Sequence, residues 1–333
     1  MQSTIRLVCF ANTTKHHADI QRAETMMKIA LIGQAAFGKA VLEAITGTGK
    51  DEVVGVFATP DVEGRPRDPL AEAADASGIP LFQFKRMRNA EAIEQFKSLA
   101  PDLCVMAFVT DIVPMDMINA PAQGTIQYHP SLLPLHRGPS SINWPIVQGE
   151  TQTGLTIFWP DDGLDTGPVL LQKTTEISPT DTLGTVYFQR LFPMGVDAMV
   201  EAIELVRSGN APRITQDESK ATYEGWFGAK EAVIDWSKAG ADIFNLVRGS
   251  DPSPGANTTI NGTSIGLYDA SFSRQAQSSP HGSIVVIGEK SIDVAVGGGT
   301  LSVGRVRTRG GAKNSAAEFV RSTGVGVGDQ FGT

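Results

Sequence analysis

The chain has 333 residues, 41% hydrophobic and 19% charged, with a formal net charge of −8 at pH 7. That length predicts two domains, each long enough for its own core, and the acidic balance counts against gripping a nucleic-acid backbone by bulk electrostatics. Two cysteines, Cys9 and Cys104, exclude a disulfide framework and fit a reducing cytoplasm, and no apolar run approaches the roughly 20 residues needed to cross a bilayer.

Residues 1–26 show no clean period, and the folded chain is expected to begin at Met27. The preceding stretch reads as a disordered tail from an upstream start codon. An organelle presequence is disfavoured by Asp19 and Glu24. Lys28–Ile32 then reads as a β-run ending in Gly33, followed by helical spacing from Phe37 through Val41, Leu42 and Ile45, and by a second strand over Glu52–Ala58. Strand, helix and strand in that order form the unit of a parallel α/β sheet. The intervening GQAAFGKA nearly matches a phosphate-binding P-loop, but Ala40 stands where a Ser or Thr hydroxyl must hold magnesium, and GxGxxG spacing is missing. It reads as a glycine-tightened turn that holds no nucleotide.

A polar loop over 58–69, a short helix over Leu70–Ser77 and an amphipathic helix over Ala90–Leu99 come next. Leu103–Val109, hydrophobic on both faces, reads as a central strand of a parallel sheet. It runs into TDIVP (Thr110–Pro114) and a helical turn through Met117, and Gly124–Tyr128 then delivers His129. Ligands of open α/β sheets collect at the carboxyl ends of strands, so TDIVP and YHPSLLP become candidate walls of one pocket. Ser140–Gln148 reads as a helix in which Pro145 is awkward beyond the first turn. Gly154–Trp159 reads as a strand, DDGLDTGP as a loop, Val169–Gln172 as resumed strand, and Leu183–Arg207 as one long helix.

The texture changes after residue 212. A polar connection leads to a helix over 238–248, then to short β-runs with turn signals at Asn261-Gly262 and Gly297–Gly299. These predict a small antiparallel barrel or sandwich. The expected organisation is therefore a tail over 1–26, a catalytic domain over 27–212, a linker over 213–230 and a small β-rich domain over 231–333.

His129 and Asp165 each lie where an apolar strand breaks into a Pro- or Gly-bounded loop, the usual setting of functional residues. An imidazole can donate to a carbonyl oxygen that is becoming an oxyanion, and a carboxylate can orient or deprotonate a water or an attacking amine. Nothing in the sequence supplies the remaining ligands of a metal site, and neither a serine elbow nor an activated-cysteine pattern is present. On spacing alone the pair stays open to a plainer account, because a His beside a buried aromatic is commonly packing and an Asp in a DxG loop is commonly turn chemistry.

HPSLLPLHRG followed by GLTIFWPDDGLDTGPVLLQ resembles the folate-dependent formyltransferase and hydrolase family. The likeness runs from MKIALIG through INWPIVQGET to ATYEGW, IDW and NLVRGSDPSPGA. The nearer branch is the amino-terminal hydrolase domain of 10-formyltetrahydrofolate dehydrogenases, with methionyl-tRNA formyltransferases more distant. The resemblance implies an α/β fold: a Rossmann-like, parallel-rich formyl-transfer domain followed by a smaller, β-rich, barrel-like domain. It also implies roles, with His129 as donor to the formyl oxygen, Asp165 as the essential aspartate, and Asp111, Ile112 and Val113 as contacts to the pterin–formyl end of a folate. The wider family carries Asn two residues before the histidine, where this chain has Gln127. The dehydrogenase-type hydrolases also lack that Asn, so Gln127 leans toward their branch, either reaching the formyl oxygen itself or only lining the strand.

The resemblance thus implies hydrolysis of 10-formyltetrahydrofolate to tetrahydrofolate and formate. The alternative is transfer to an amine, on methionyl-tRNA or an amino-sugar nucleotide. A folate-binding module without turnover ranks below both, because His129 and Asp165 are kept. No NADP site is visible, so oxidation of the formyl group would fall to a separate carrier or aldehyde dehydrogenase component.

Overall fold

The computed structural model describes residues 26–275 and 278–333, so Cys9 and all but the last residue of the predicted tail lie outside it. Contacts divide the chain into two compact units that interleave in sequence. One comprises Met1–His129, Thr156–Lys173 and Met194–Asp217; the other comprises Pro130–Leu155, Thr174–Pro193 and Glu218–Thr333.

Strands β1 (Lys28–Gly33), β2 (Glu52–Ala58), β3 (Leu81–Gln83), β4 (Leu103–Ala107), β5 (Thr125–His129), β6 (Gln152–Phe158) and β7 (Val169–Glu176) form a seven-stranded sheet in the order β3-β2-β1-β4-β5-β6-β7. The first five pair in parallel, and β6 turns antiparallel against β5. Helices α1 (Ala35–Thr48), α2 (Pro69–Ala76), α3 (Ala90–Ser98) and α4 (Met115–Ile118) supply the crossovers that parallel pairing demands. This is a Rossmann-like arrangement, and its order reverses between β1 and β4, beside β5. At the central strands both sheet faces are dry: Ile29 to Ile32 and Leu103 to Val105 are all 1% exposed or less. Continuous apolar runs replace alternation for that reason.

One face carries Ala30, Ile32, Cys104 and Met106, packed with Phe57, Phe96 and Met117. On the other, α1 buries Phe37, Val41, Leu42 and Ile45, and the Phe37 ring centroid lies 4.3 Å from that of Tyr128. Burial pushes the Cys104 thiol far above its ordinary pKa, with a smaller opposing effect from the Thr125 hydroxyl, so this cysteine behaves as a small hydrophobe. In the GQAAFGKA turn the Ala35 N–H, which a phosphate would need, donates to both carboxylate oxygens of Asp68 at 3.1 and 2.9 Å.

Several elements differ from expectation for local reasons. Strand β4 stops at Ala107 because Phe108 takes φ 61°, outside any strand conformation. Helix α5 is Asn143–Val147, starting after the serines, so Pro145 sits in the first turn where its missing N–H has no intrahelical partner to lose. The long helix expected over Leu183–Arg207 is three segments: α6 (Leu183–Val186), a π turn over Tyr187–Leu191, and α7 (Phe192–Arg207). Pro193 supplies the reason, since it lacks an N–H and its ring crowds the carbonyl one turn back, which a widened turn relieves.

The second unit holds α8 (Gly240–Ser250) and an antiparallel sheet of β8 (Ala256–Ile260), β9 (Thr263–Ser273), β10 (Ile284–Ile287), β11 (Ile292–Val296) and β12 (Gly299–Thr308), in the order β10-β11-β12-β9-β8, with β13 (Asn314–Ser315) on β12. Its core joins Leu267, Val294, Val296, Leu301 and Val303 to Ile243 and Val247 of α8. Asn261 (φ 49°) and Gly262 (φ 74°) turn β8 into β9, the double left-handed pair of a two-residue hairpin. Helix α9 (Ala316–Thr323) was not anticipated. Its signals were the Ser315 cap, whose hydroxyl accepts from the Glu318 N–H, and the left-handed Gly324 that ends it. Among the described residues no helix is long and apolar enough to cross a membrane.

Candidate active site

Strand alternation sets the site. In β5, Ile126 and Tyr128 turn to one face, Gln127 and His129 to the other. Gln127 is in register with Met106 on β4 and Phe158 on β6, and His129 with Thr156. His129 is the last residue of its strand and only 6% exposed. The Thr156 hydroxyl beside it accepts from the Gln172 amide at 2.9 Å, so a polar row, His129, Thr156 and Gln172, crosses three strands.

Strand β6 runs away from His129, and the loop after Phe158 must fold back along the sheet to return. Its conformation is built from within. Asp161 accepts from the Gly163 N–H at 3.1 Å and the Thr166 hydroxyl at 2.6 Å, so Asp161 is the turn aspartate of the DDGLDTGP loop. A Cβ on Gly167 would fall inside the Trp159 carbonyl, which is why only glycine closes the loop there. Asp165 takes φ 57°, a left-handed conformation that costs a non-glycine residue on the order of 1 kcal/mol and persists only where surroundings enforce it.

In that pose Asp165 is 7% exposed, and its Oδ2 lies 3.6 Å from His129 Nδ1. That is too long for a hydrogen bond yet close enough for one small reacting group to meet both side chains. The arrangement offers a hydrogen-bond donor and a proton acceptor side by side at a strand end, held out of bulk water.

The TDIVP residues have three different fates. The Asp111 carboxylate accepts from the Met87 N–H at 2.8 Å and from Arg86 at 3.1 Å. Desolvation raises its pKa, but the Met87 and Ile112 backbone N–H groups and Arg86 together outweigh it and hold the carboxyl below its ordinary value. Val113 packs into the apolar face with Ile32 and Phe96. Ile112 is 75% exposed, so of the three its side chain alone is turned fully to solvent.

Sequence reasoning missed Thr156, Gln172 and Gln216. The Gln216 side chain donates to the backbone carbonyls of Asp165 at 2.9 Å and Gly167 at 2.7 Å. Strand alternation could have exposed Thr156 and Gln172; nothing in a polar connecting stretch marks Gln216. Among the described residues no group of three or more His, Cys, Asp or Glu is gathered to hold a metal ion.

A parallel-rich sheet with His129 at the carboxyl end of β5 and Asp165 beside it is an open α/β fold, a class in which ligands gather at the carboxyl ends of strands. The formyl transferase family matches residues 27–203 and the formyl transferase C-terminal domain residues 228–324. The chain belongs to the formyl transferase family. Cytosolic 10-formyltetrahydrofolate dehydrogenase of Xenopus laevis is 45% identical over 253 residues, covering 74% of this chain and 28% of that protein; the chain thus spans little more than a quarter of the length of such relatives. Methionyl-tRNA formyltransferase of Trichlorobacter lovleyi is 35% identical over 309 residues, covering 91% of this chain and 96% of that one. In fold, HypX from Aquifex aeolicus in complex with tetrahydrofolic acid matches with a TM-score of 0.66 at 19% identity, over 91% of this chain and 48% of that chain. An N-formyltransferase from Helicobacter canadensis matches with a TM-score of 0.64 at 16% identity, over 85% and 100%.

Proposed function

We propose that the chain binds 10-formyltetrahydrofolate and hydrolyses it to tetrahydrofolate and formate. The observation that carries this reading is the His129–Asp165 pair, 3.6 Å apart and nearly sealed from solvent, within a chain of the formyl transferase family. Asp165 orients a water and accepts one of its protons as oxygen attacks the formyl carbon. His129 donates a hydrogen bond to the formyl oxygen as negative charge collects there. The tetrahedral intermediate collapses by breaking the bond from the formyl carbon to N10, and the proton taken by Asp165 passes to N10, so that formic acid and the amine leave. Gln127, on the same strand face as His129, either offers its amide to the formyl oxygen or only lines the strand, and the exposed Ile112 offers an apolar surface to the pterin.

Choice of water rests on Gln127, which departs from the Asn of the wider family as dehydrogenase-type hydrolases do, and on the 45% identity with 10-formyltetrahydrofolate dehydrogenase. A second reading, transfer to an amine, is supported by the match to a methionyl-tRNA formyltransferase over almost its whole length. The same pair would serve it, with an amine on the face that water takes.

Product analysis separates the two. Incubated with 10-formyltetrahydrofolate alone, the chain should release formate and tetrahydrofolate in equal amounts, and charged initiator tRNA or an amino-sugar nucleotide should not accelerate turnover. Turnover that requires such an acceptor, with no free formate, would overturn the hydrolase reading in favour of transfer.

A further inference from the structure

We infer that Gln216 is a positioning residue for Asp165, and that the segment 212–216 is a strap that holds the Asp165 loop in its reactive shape. The inference rests on the role proposed above for Asp165.

The strap is an irregular stretch that nonetheless engages the loop and the start of β7 at four points. The Trp159 indole N–H donates to the Pro212 carbonyl at 2.9 Å. The Arg213 guanidinium lies 3.9 Å above the Trp159 ring. Ile214 exchanges both backbone hydrogen bonds with Val169, at 2.8 and 2.9 Å. Gln216, a residue only 6% exposed, then closes on the loop between these anchors. A primary amide carries two N–H donors on one nitrogen, and here that nitrogen serves two carbonyls, those of Asp165 and Gly167.

Those two carbonyls flank the part of the loop that must not relax. Asp165 holds φ 57°, and Gly167 is pressed against the Trp159 carbonyl. A left-handed aspartate has a lower-energy alternative, and reaching it would swing Cβ and carry the carboxylate away from His129. Donors that bind the Asp165 carbonyl in its present direction oppose that rotation. Misplacement of a reacting group by about 1 Å is enough to cost on the order of 100-fold in rate. Gln216 itself need not touch substrate.

The test replaces Gln216 by Met, of similar length but without donors, and measures kcat and KM for formate release beside tetrahydrofolate affinity and Tm. The expected result is a fall in kcat of at least about 30-fold, with KM and tetrahydrofolate affinity within about threefold of wild type, because the loop is mis-set while the folate site stands. A kcat within threefold of wild type overturns the inference, as does a loss of kcat matched by a rise in KM and a collapse of Tm, which would mark a merely structural residue. Should Gln216→Met not fold, Gln216→Asn keeps both donors one methylene short. A reduced kcat at unchanged KM then supports the role, and wild-type kcat overturns it. Asp165→Asn run in parallel separates the two levels. If that variant turns over normally, the role of Asp165 fails; if it is inactive while Gln216→Met is normal, only the strap fails.

Discussion

At the scale of residues, two aspartates in related settings do opposite work. Asp161 spends its carboxylate on the Gly163 N–H and the Thr166 hydroxyl, and so builds the turn. Asp165, four residues on, is turned inward by a left-handed backbone and meets His129. Asp111 belongs with Asp161. Its carboxylate clamps the Met87 N–H and Arg86; desolvation raises its pKa, and these partners together with the Ile112 N–H more than offset that. A lowered folded pKa means that the stability it gives is fully present above its unfolded value, about 3.9, and is lost as pH falls through the folded value. Asp111→Asn should therefore lower Tm at pH 7, and the gap from wild type should shrink as pH drops below about 4. A gap unchanged down to pH 2.5 would show that the charge of Asp111 contributes nothing.

At the scale of elements, what the sequence made legible followed periodicity and what it hid followed context. Strands β1, β2 and β4 announced themselves as apolar runs, and the Asn261-Gly262 hairpin by its turn chemistry. That turn has a specific consequence. Gly262 sits at φ 74° with nothing within 4 Å of where a Cβ would stand, so Gly262→Ala should destabilise the second unit purely through backbone conformation. The expected cost is about 1 kcal/mol, read as a fall of roughly 2–4 °C in Tm; no change would mean that the hairpin is held by its strands alone. Two elements resisted reading. The π turn at Tyr187–Leu191 has the same apolar spacing as the helices it joins, and only Pro193 hints at it. The strap over 212–216 has no period at all, because its partners, the Trp159 indole and backbone groups of Asp165, Gly167 and Val169, lie some 50 positions earlier, and side-chain pattern carries no record of such contacts.

At the scale of the whole molecule, the parallel-rich sheet was legible from strand–helix–strand order, and family membership from the HPSLLPLHRG and DDGLDTGP motifs. The juxtaposition of His129 and Asp165 was not legible from spacing. It depends on β6 pairing antiparallel to β5 and on a loop that folds back over the sheet, and both are properties of the assembled fold. The folded structure also separates the TDIVP residues, which the motif presented as a block, into a clamp, a core side chain and an exposed one. The interleaving of the two compact units has the same origin. Segments 130–155 and 174–193 join the carboxyl-terminal residues through contacts that no local pattern announces.

The proposed hydrolysis rests on the paired action of His129 and Asp165. The direct measurement is tetrahydrofolate release from 10-formyltetrahydrofolate by wild type, His129→Ala and Asp165→Asn, with tetrahydrofolate affinity determined for each. Loss of a general acid–base group or an oxyanion donor costs on the order of 100-fold or more, so both variants should lose at least that factor in turnover while folate affinity stays within a few-fold. Turnover within tenfold of wild type in either variant would contradict the assignment.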